Sequence, residues 1–69
     1  MIIYIEASKP VIKALVDFDM SNSCDDIMSV NGRVVKIQGE LAKTINSFFG
    51  GCAYEISSVK QVKNILKAA

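Results

Sequence analysis

Apolar residues recur along this chain with two different periods, and the points where the period changes divide it into elements. The opening "IIYI" is β-branched and aromatic at successive positions, so residues 2–7 are predicted as a strand covered on both faces. Ser8-Lys9-Pro10 then interrupts it. The following "VIKALVDF" supports two patterns. Ile12, Ala14, Val16 and Phe18 alternate as in a strand, while Val11, Leu15 and Phe18 share one helix face. The helix reading, over residues 9–18, is favoured: Ser8 can stand at the N-cap with Pro10 in the first turn, although Lys9 there opposes the helix dipole.

Asn31-Gly32 between apolar stretches is a strong hairpin signal, because both residue types tolerate positive φ. It predicts strands at 26–30 and 33–38, with Val30 opposite Arg33 and Met28 opposite Val35. A short helix opening at Asp25 and closing on Gly32 competes for the first of these, whereas "RVVKI" is a strand in either case.

Residues 40–49 form the clearest helix. Leu41, Ala42, Ile45, Phe48 and Phe49 fall on one face, with Glu40, Lys43, Asn46 and Ser47 opposite. Glu40 suits the positive end of the dipole, and Gly50-Gly51 supplies a left-handed stop. Residues 52–57 read as a further strand. Ser58-Val59-Lys60-Gln61 has the form of a capping box opening a helix over 58–68, which buries Val59, Val62, Ile65 and Leu66. The elements assemble into one compact α/β (α+β) domain spanning 1–69: a small, largely antiparallel sheet of three to four strands under two to three helices.

Size and composition sharpen this picture. A chain of 69 residues buries only about 60% of its unfolded surface. A core of that size supplies no more than about 3–5 kcal/mol. An apolar content of 51% is high for so small an interior, and surplus apolar surface points to a protein partner or to a homodimer. Cys24 and Cys52 lie far apart and form no CxxC pair, so the expectation is two reduced, mostly buried thiols. The start has no basic segment, Glu6 cuts its apolar run short, and no stretch approaches the roughly 18 apolar residues of a membrane span. The expected setting is cytoplasmic.

Charge is divided along the chain. Residues 1–32 carry Lys9 and Lys13 against Glu6, Asp17, Asp19, Asp25 and Asp26, a net of −3, and residues 33–69 carry +4. This predicts a molecule negative at one end and positive, through its last helix, at the other.

Candidate chemistry is sparse. The chain has no histidine, which removes the commonest general base, the usual zinc nitrogen ligand and every Ser-His or Cys-His nucleophile pair. It has no glycine-rich phosphate cradle. Cys24 precedes two aspartates, which oppose a thiolate. The expectation is a protein that is not an enzyme and needs no cofactor.

The stretch "VDFDMSNSCDD" offers the one metal pattern. Counted as a calcium loop from Asp17, it has Asp17, Asp19 and Ser21 at ligand positions, but Asn22 where glycine belongs and Met28 where a bidentate glutamate belongs. A weak calcium module is therefore a third-ranked reading, behind a polar turn whose Asp17, Asp19, Asp25 and Asp26 form an exposed acidic contact. Lys60, Lys63 and Lys67 recur along one flank of the last helix and support an alternative, a nucleic-acid-binding accessory protein. Phe48 and Phe49 diverge by about 100° around their helix, and Phe49 is the one expected at the stripe's edge as a partner anchor. The leading expectation is a non-enzymatic interaction module, a regulator or inhibitor that occupies the surface of a larger protein.

Overall fold

A computed structural model describes residues 1–50 and 55–67. Its elements are β1 (Ile2–Ala7), α1 (Lys9–Ser21), β2 (Ile27–Asn31), β3 (Val34–Gln38), α2 (Gly39–Phe49), β4 (Glu55–Ile56) and α3 (Val59–Lys67). The strand order is β2-β3-β1-β4. β3 runs antiparallel to both β1 and β2, and β4 lies parallel to β1. β1 and β2 are therefore parallel to each other with β3 inserted between them, a split β-α-β arrangement. The α+β architecture expected from the sequence is the one observed. Strand residues expected at 52–54 and the helix end at residue 68 lie outside the described residues.

All three helices cover one face of the sheet. Ile3, Ile5 and Ala7 of β1, Val35 and Ile37 of β3 and Ile56 of β4 point into a core shared with Val11 and Leu15 of α1, Leu41, Ala42 and Ile45 of α2, and Val62 and Ile65 of α3. α3 packs against both α1 and α2. Val62 and Ile65 bring its apolar stripe into that core, as the sequence periodicity predicts.

β1 corrects the sequence reading. Its burial alternates strictly, leaving Ile2, Tyr4 and Glu6 exposed, so the strand is covered on one face and not on both. The β-branched run describes backbone preference. Among the described residues the helices all pack on the face of Ile3, Ile5 and Ala7, and none covers the other.

The hairpin is present with its turn moved along by one residue, which shifts the pairing register by two. Asn31 pairs with Val34 and Val30 with Val35, so the loop residues are Gly32-Arg33 and not Asn31-Gly32. Gly32 takes the left-handed conformation at φ 63°, as a turn with glycine in its first central position requires. An even shift leaves the alternation of β3 unchanged, so Val35 and Ile37 stay in the core row, while Arg33 falls in the loop. Between Ile27 and Ser29 the pairing slips, with two β2 residues facing one of β3 at Met28.

α1 extends to Ser21, beyond the residue 18 expected. Its start has Ser8 in extended backbone with no side-chain cap, and Ile12 N–H donates to the Ser8 carbonyl at 2.9 Å. Its end carries no glycine. The chain leaves the helix through Asn22, whose amide Nδ2 donates to the Phe18 carbonyl at 2.9 Å, and then through left-handed Ser23 at φ 52°. Gly50, left-handed at φ 66°, closes α2 as expected. At α3, Gln61 N–H donates to Ser58 Oγ at 3.2 Å, one arm of the capping box. The other arm reaches one residue further back, with Ser57 N–H donating to Gln61 Oε1 at 3.3 Å. Among the described residues no helix is long and apolar enough to cross a membrane.

Candidate functional site

The acidic stretch is divided between a helix, a splice and the surface. Asp17 and Asp19 lie in α1. Asp19 is only 8% exposed, and its Oδ1 accepts the backbone N–H of Asp26 at 2.9 Å. Asp26 in turn reaches across to the start of α2, where its Oδ2 accepts Leu41 N–H at 3.1 Å. Its own carbonyl accepts Gln38 N–H at 2.8 Å. The Gln38 side chain provides no cap. Asp26 thus supplies from 13 residues upstream of Gly39 the acceptor that an N-cap side chain normally gives.

Gly39 makes this geometry available. It sits at φ +68°, and a Cβ built there would fall 2.6 Å from Asp26 Oδ1. The missing side chain is the space that the carboxylate fills. One oxygen of Asp19 and one of Asp26 are thus each engaged by a main-chain amide. Asp25 is exposed and left-handed at φ 55°, and Asp17 is exposed on α1. Among the described residues no group of three or more His, Cys, Asp or Glu side chains converges as a metal site.

Cys24 is exposed, not buried as expected. Loss of solvent around the sulfur, followed by the carboxylates of Asp26 and Asp19, pushes its thiol above the ordinary value. The sequence anticipates this direction, but tertiary folding makes Asp19 one of the acids responsible. Cys52 lies outside the described residues.

Two grooves flank α3. One, of ≈ 510 Å³ between α1 and α3, is lined by Ala14, Asp17, Phe18, Val62, Lys63, Leu66 and Lys67. Its floor is apolar and its rim carries one acid and two lysines. The other, of ≈ 460 Å³ between α2 and α3, is lined by Glu40, Lys43, Thr44, Ser47, Phe48 and Ile65, and is more polar.

The first groove corrects the expected charge layout. Asp17, from the acidic half of the sequence, and Lys63 and Lys67, from the basic half, border the same depression. They do not occupy opposite ends of the molecule, because α1 and α3 pack side by side. Lys60 is exposed on α3 but does not line the groove.

The aromatic pair is also reversed. Phe49 is half-buried against the core, while Phe48 is 52% exposed and lines the second groove. The rings meet edge to face, with centroids 5.2 Å apart at 76°. α2 turns its buried face through Leu41, Ala42 and Ile45, which carries Phe49 inward and Phe48 outward.

Sequence reasoning did not single out Ala14, Phe18, Val62 and Leu66 as a surface. The available signal was the width of the apolar stripe on α1: Val11, Ile12, Ala14, Leu15 and Phe18 together exceed what one helix face can bury. Comparisons with protein-family models, with curated proteins and with solved structures give no match for this chain.

Proposed function

We propose that this protein is a non-enzymatic interaction module, a regulator or inhibitor that binds a larger protein, and that the groove between α1 and α3 receives an apolar segment of that partner. The observation that carries the reading is the groove's composition: an apolar floor of Ala14, Phe18, Val62 and Leu66 beneath the charges of Asp17, Lys63 and Lys67. Apolar anchors in a groove with a charged rim suit an amphipathic helix or extended segment of a partner, the floor giving affinity and the rim setting orientation. The two lysines favour a segment bearing acidic side chains at its margins. A nucleic-acid ligand is less well supported, since no arginine or asparagine lines the groove to read bases. A reducing, cytoplasmic compartment goes with this reading, because Cys24 is an exposed free thiol.

The test is quantitative capture from lysate of the native host, with the wild type compared against Leu66→Arg and Lys63→Glu/Lys67→Glu in the groove and Lys43→Glu in the second groove. Circular dichroism confirms the fold of each variant. A protein retained by the wild type and by Lys43→Glu, and lost from both groove variants, supports the reading. Retention by all variants, or loss on nuclease treatment, refutes it.

A further inference from the structure

The chain has four asparagines, Asn22, Asn31, Asn46 and Asn64, and the fold leaves one of them chemically open. Asparagine is labile because its side chain can react with its own main chain. The next residue's nitrogen, once it has lost its proton to hydroxide, attacks the side-chain carbonyl carbon Cγ. Three conditions favour the attack: a free side-chain amide, a free N–H on the next residue, and no Cβ there to crowd the approach.

Asn31 meets all three. It is the last residue of β2 and exposed, and Gly32-Arg33 is the loop that follows. Among the described residues no hydrogen bond engages the Asn31 side chain or the Gly32 N–H. A Cβ built on Gly32 would meet nothing within 4 Å, so the turn stands clear of the rest of the molecule. The other asparagines are held. Asn22 is exposed and precedes a small residue, Ser23, yet its Nδ2 donates to the Phe18 carbonyl at 2.9 Å and Ser23 N–H donates to the Met20 carbonyl at 3.3 Å. Asn46 and Asn64 lie inside α2 and α3, where the next N–H belongs to the helical ladder.

We propose that Asn31 is a site of spontaneous covalent modification, in which the Gly32 nitrogen closes a cyclic imide on Asn31 Cγ and water opens it to aspartate or isoaspartate. The bond formed is Gly32 N to Cγ, and the bond broken is Cγ to Nδ2, whose nitrogen leaves as ammonia. Water then adds to one of the two ring carbonyls. Cleavage at Cγ restores the ordinary main chain with aspartate, whereas cleavage at the original peptide carbonyl leaves the chain joined through Cγ as isoaspartate. One water is consumed and one ammonia released, and nothing is oxidised or reduced.

Strand geometry sets the rate. Asn31 is extended and paired with Val34, which holds the Gly32 nitrogen away from Cγ until the Asn31 Cα–C bond rotates. This is the last pair of the hairpin, so it can open without disturbing Val35 and Ile37 in the core. Opening of an end pair lies at the low end of local stability, and folding should slow the reaction by no more than about tenfold. Either product replaces a neutral amide by a carboxylate and takes the formal net charge from +1 to zero. Isoaspartate also adds a carbon to the main-chain path, which breaks the Asn31–Val34 pairing but leaves the Val30–Val35 pair in place. No hairpin residue lines the α1–α3 groove, so the modification stands independently of that reading.

The experiment incubates the wild-type chain in mildly alkaline buffer, folded and in denaturing urea, and follows it by tryptic mass spectrometry against a zero-time digest. One peptide, residues 14–33, carries Asn22 and Asn31 together, so its fragment ions report both sites in the same sample. Asn31 should convert in the folded protein at a rate proportional to hydroxide, within about tenfold of its rate in urea, and yield isoaspartate alongside aspartate. Folding should slow Asn22 by a larger factor, because two hydrogen bonds must break first. In urea, where folding plays no part, Gly32→Ala should slow Asn31, since the added Cβ crowds the attacking nitrogen. Absence of conversion at Asn31 in the folded protein, over a period that converts it in urea, overturns the proposal, as does equal protection of Asn31 and Asn22. Aspartate as the sole product, or an unchanged rate in Gly32→Ala, removes the Gly32 nitrogen from the step and overturns it as well.

Discussion

Asp26 offers the most direct test of how this small fold is fastened. Asp26→Ala removes the acceptor of Leu41 N–H, held at 3.1 Å, but leaves the main-chain bonds from Asp26 to Asp19 and Gln38 in place. Loss of an N-cap acceptor costs about 0.5–2 kcal/mol. The carboxylate charge at the helix N-terminus contributes about 0.3–1 kcal/mol more. The expected loss is therefore about 0.8–3 kcal/mol, a large part of the roughly 3–5 kcal/mol available to a core of this size. In a domain this short it lowers Tm by roughly 3–24 °C. Asp26→Asn keeps an oxygen acceptor and should lose only the charge contribution. Asp25→Asn, one residue away and exposed, keeps a residue type that tolerates its left-handed backbone and should stay within about 0.5 kcal/mol of wild type. Urea unfolding followed by circular dichroism, at low protein concentration, ranks the three. If Asp26→Ala moves the midpoint no further than Asp25→Asn, the carboxylate does not cap α2.

Further expectations rest on the same geometry. Gly39→Ala combines a left-handed backbone with a Cβ 2.6 Å from Asp26 Oδ1 and should cost more than about 2 kcal/mol; adding Asp26→Ala relieves the clash, so a double-mutant cycle should be clearly sub-additive. Val35→Ala, in the core, should destabilise by about 1–3 kcal/mol, while Val34→Ala, next to it on the open face, should stay within about 0.5 kcal/mol under monomeric conditions; equal effects would contradict the one-sided sheet. In a Cys52→Ser background, Cys24 should react with iodoacetamide more slowly in the folded protein at pH 8 than in urea, because folding raises the thiol pKa and lowers its thiolate fraction; the contribution of that thiol to stability is present below its unfolded pKa and fades as pH rises through the folded one. Asp26→Asn should speed the folded-state reaction. Calorimetric titration with calcium should give no heat, since Asp19 and Asp26 oxygens already accept amide protons, and a saturable signal would reinstate the metal reading.

The groove and the sheet face were legible in the sequence to different degrees. Asp17, Lys63 and Lys67 stand out as charges on amphipathic helices, but nothing local indicates that α1 and α3 lie side by side. That neighbourhood depends on β4 joining β1 in parallel and carrying α3 back over the core. The open face was harder to see. Alternation along β1 is hidden by Ile2 and Tyr4, which are as β-prone as the buried Ile3 and Ile5, so composition cannot tell the covered face from the bare one.

By itself the sequence determined the elements. The 3.6-residue stripes of α2 and α3, the glycine stop at Gly50, the Ser58 cap and the turn chemistry around Gly32 are local consequences of backbone preference and apolar spacing. They act within a few residues, so they can be read without knowing what lies elsewhere. The tertiary structure decided everything that joins distant residues. It buried Asp19, sent Asp26 to cap a helix from another part of the chain, drew opposite charges to one groove and left Tyr4 on an uncovered face. Those outcomes depend on which side of the sheet three short helices can cover, and that balance of area and volume belongs to the whole chain.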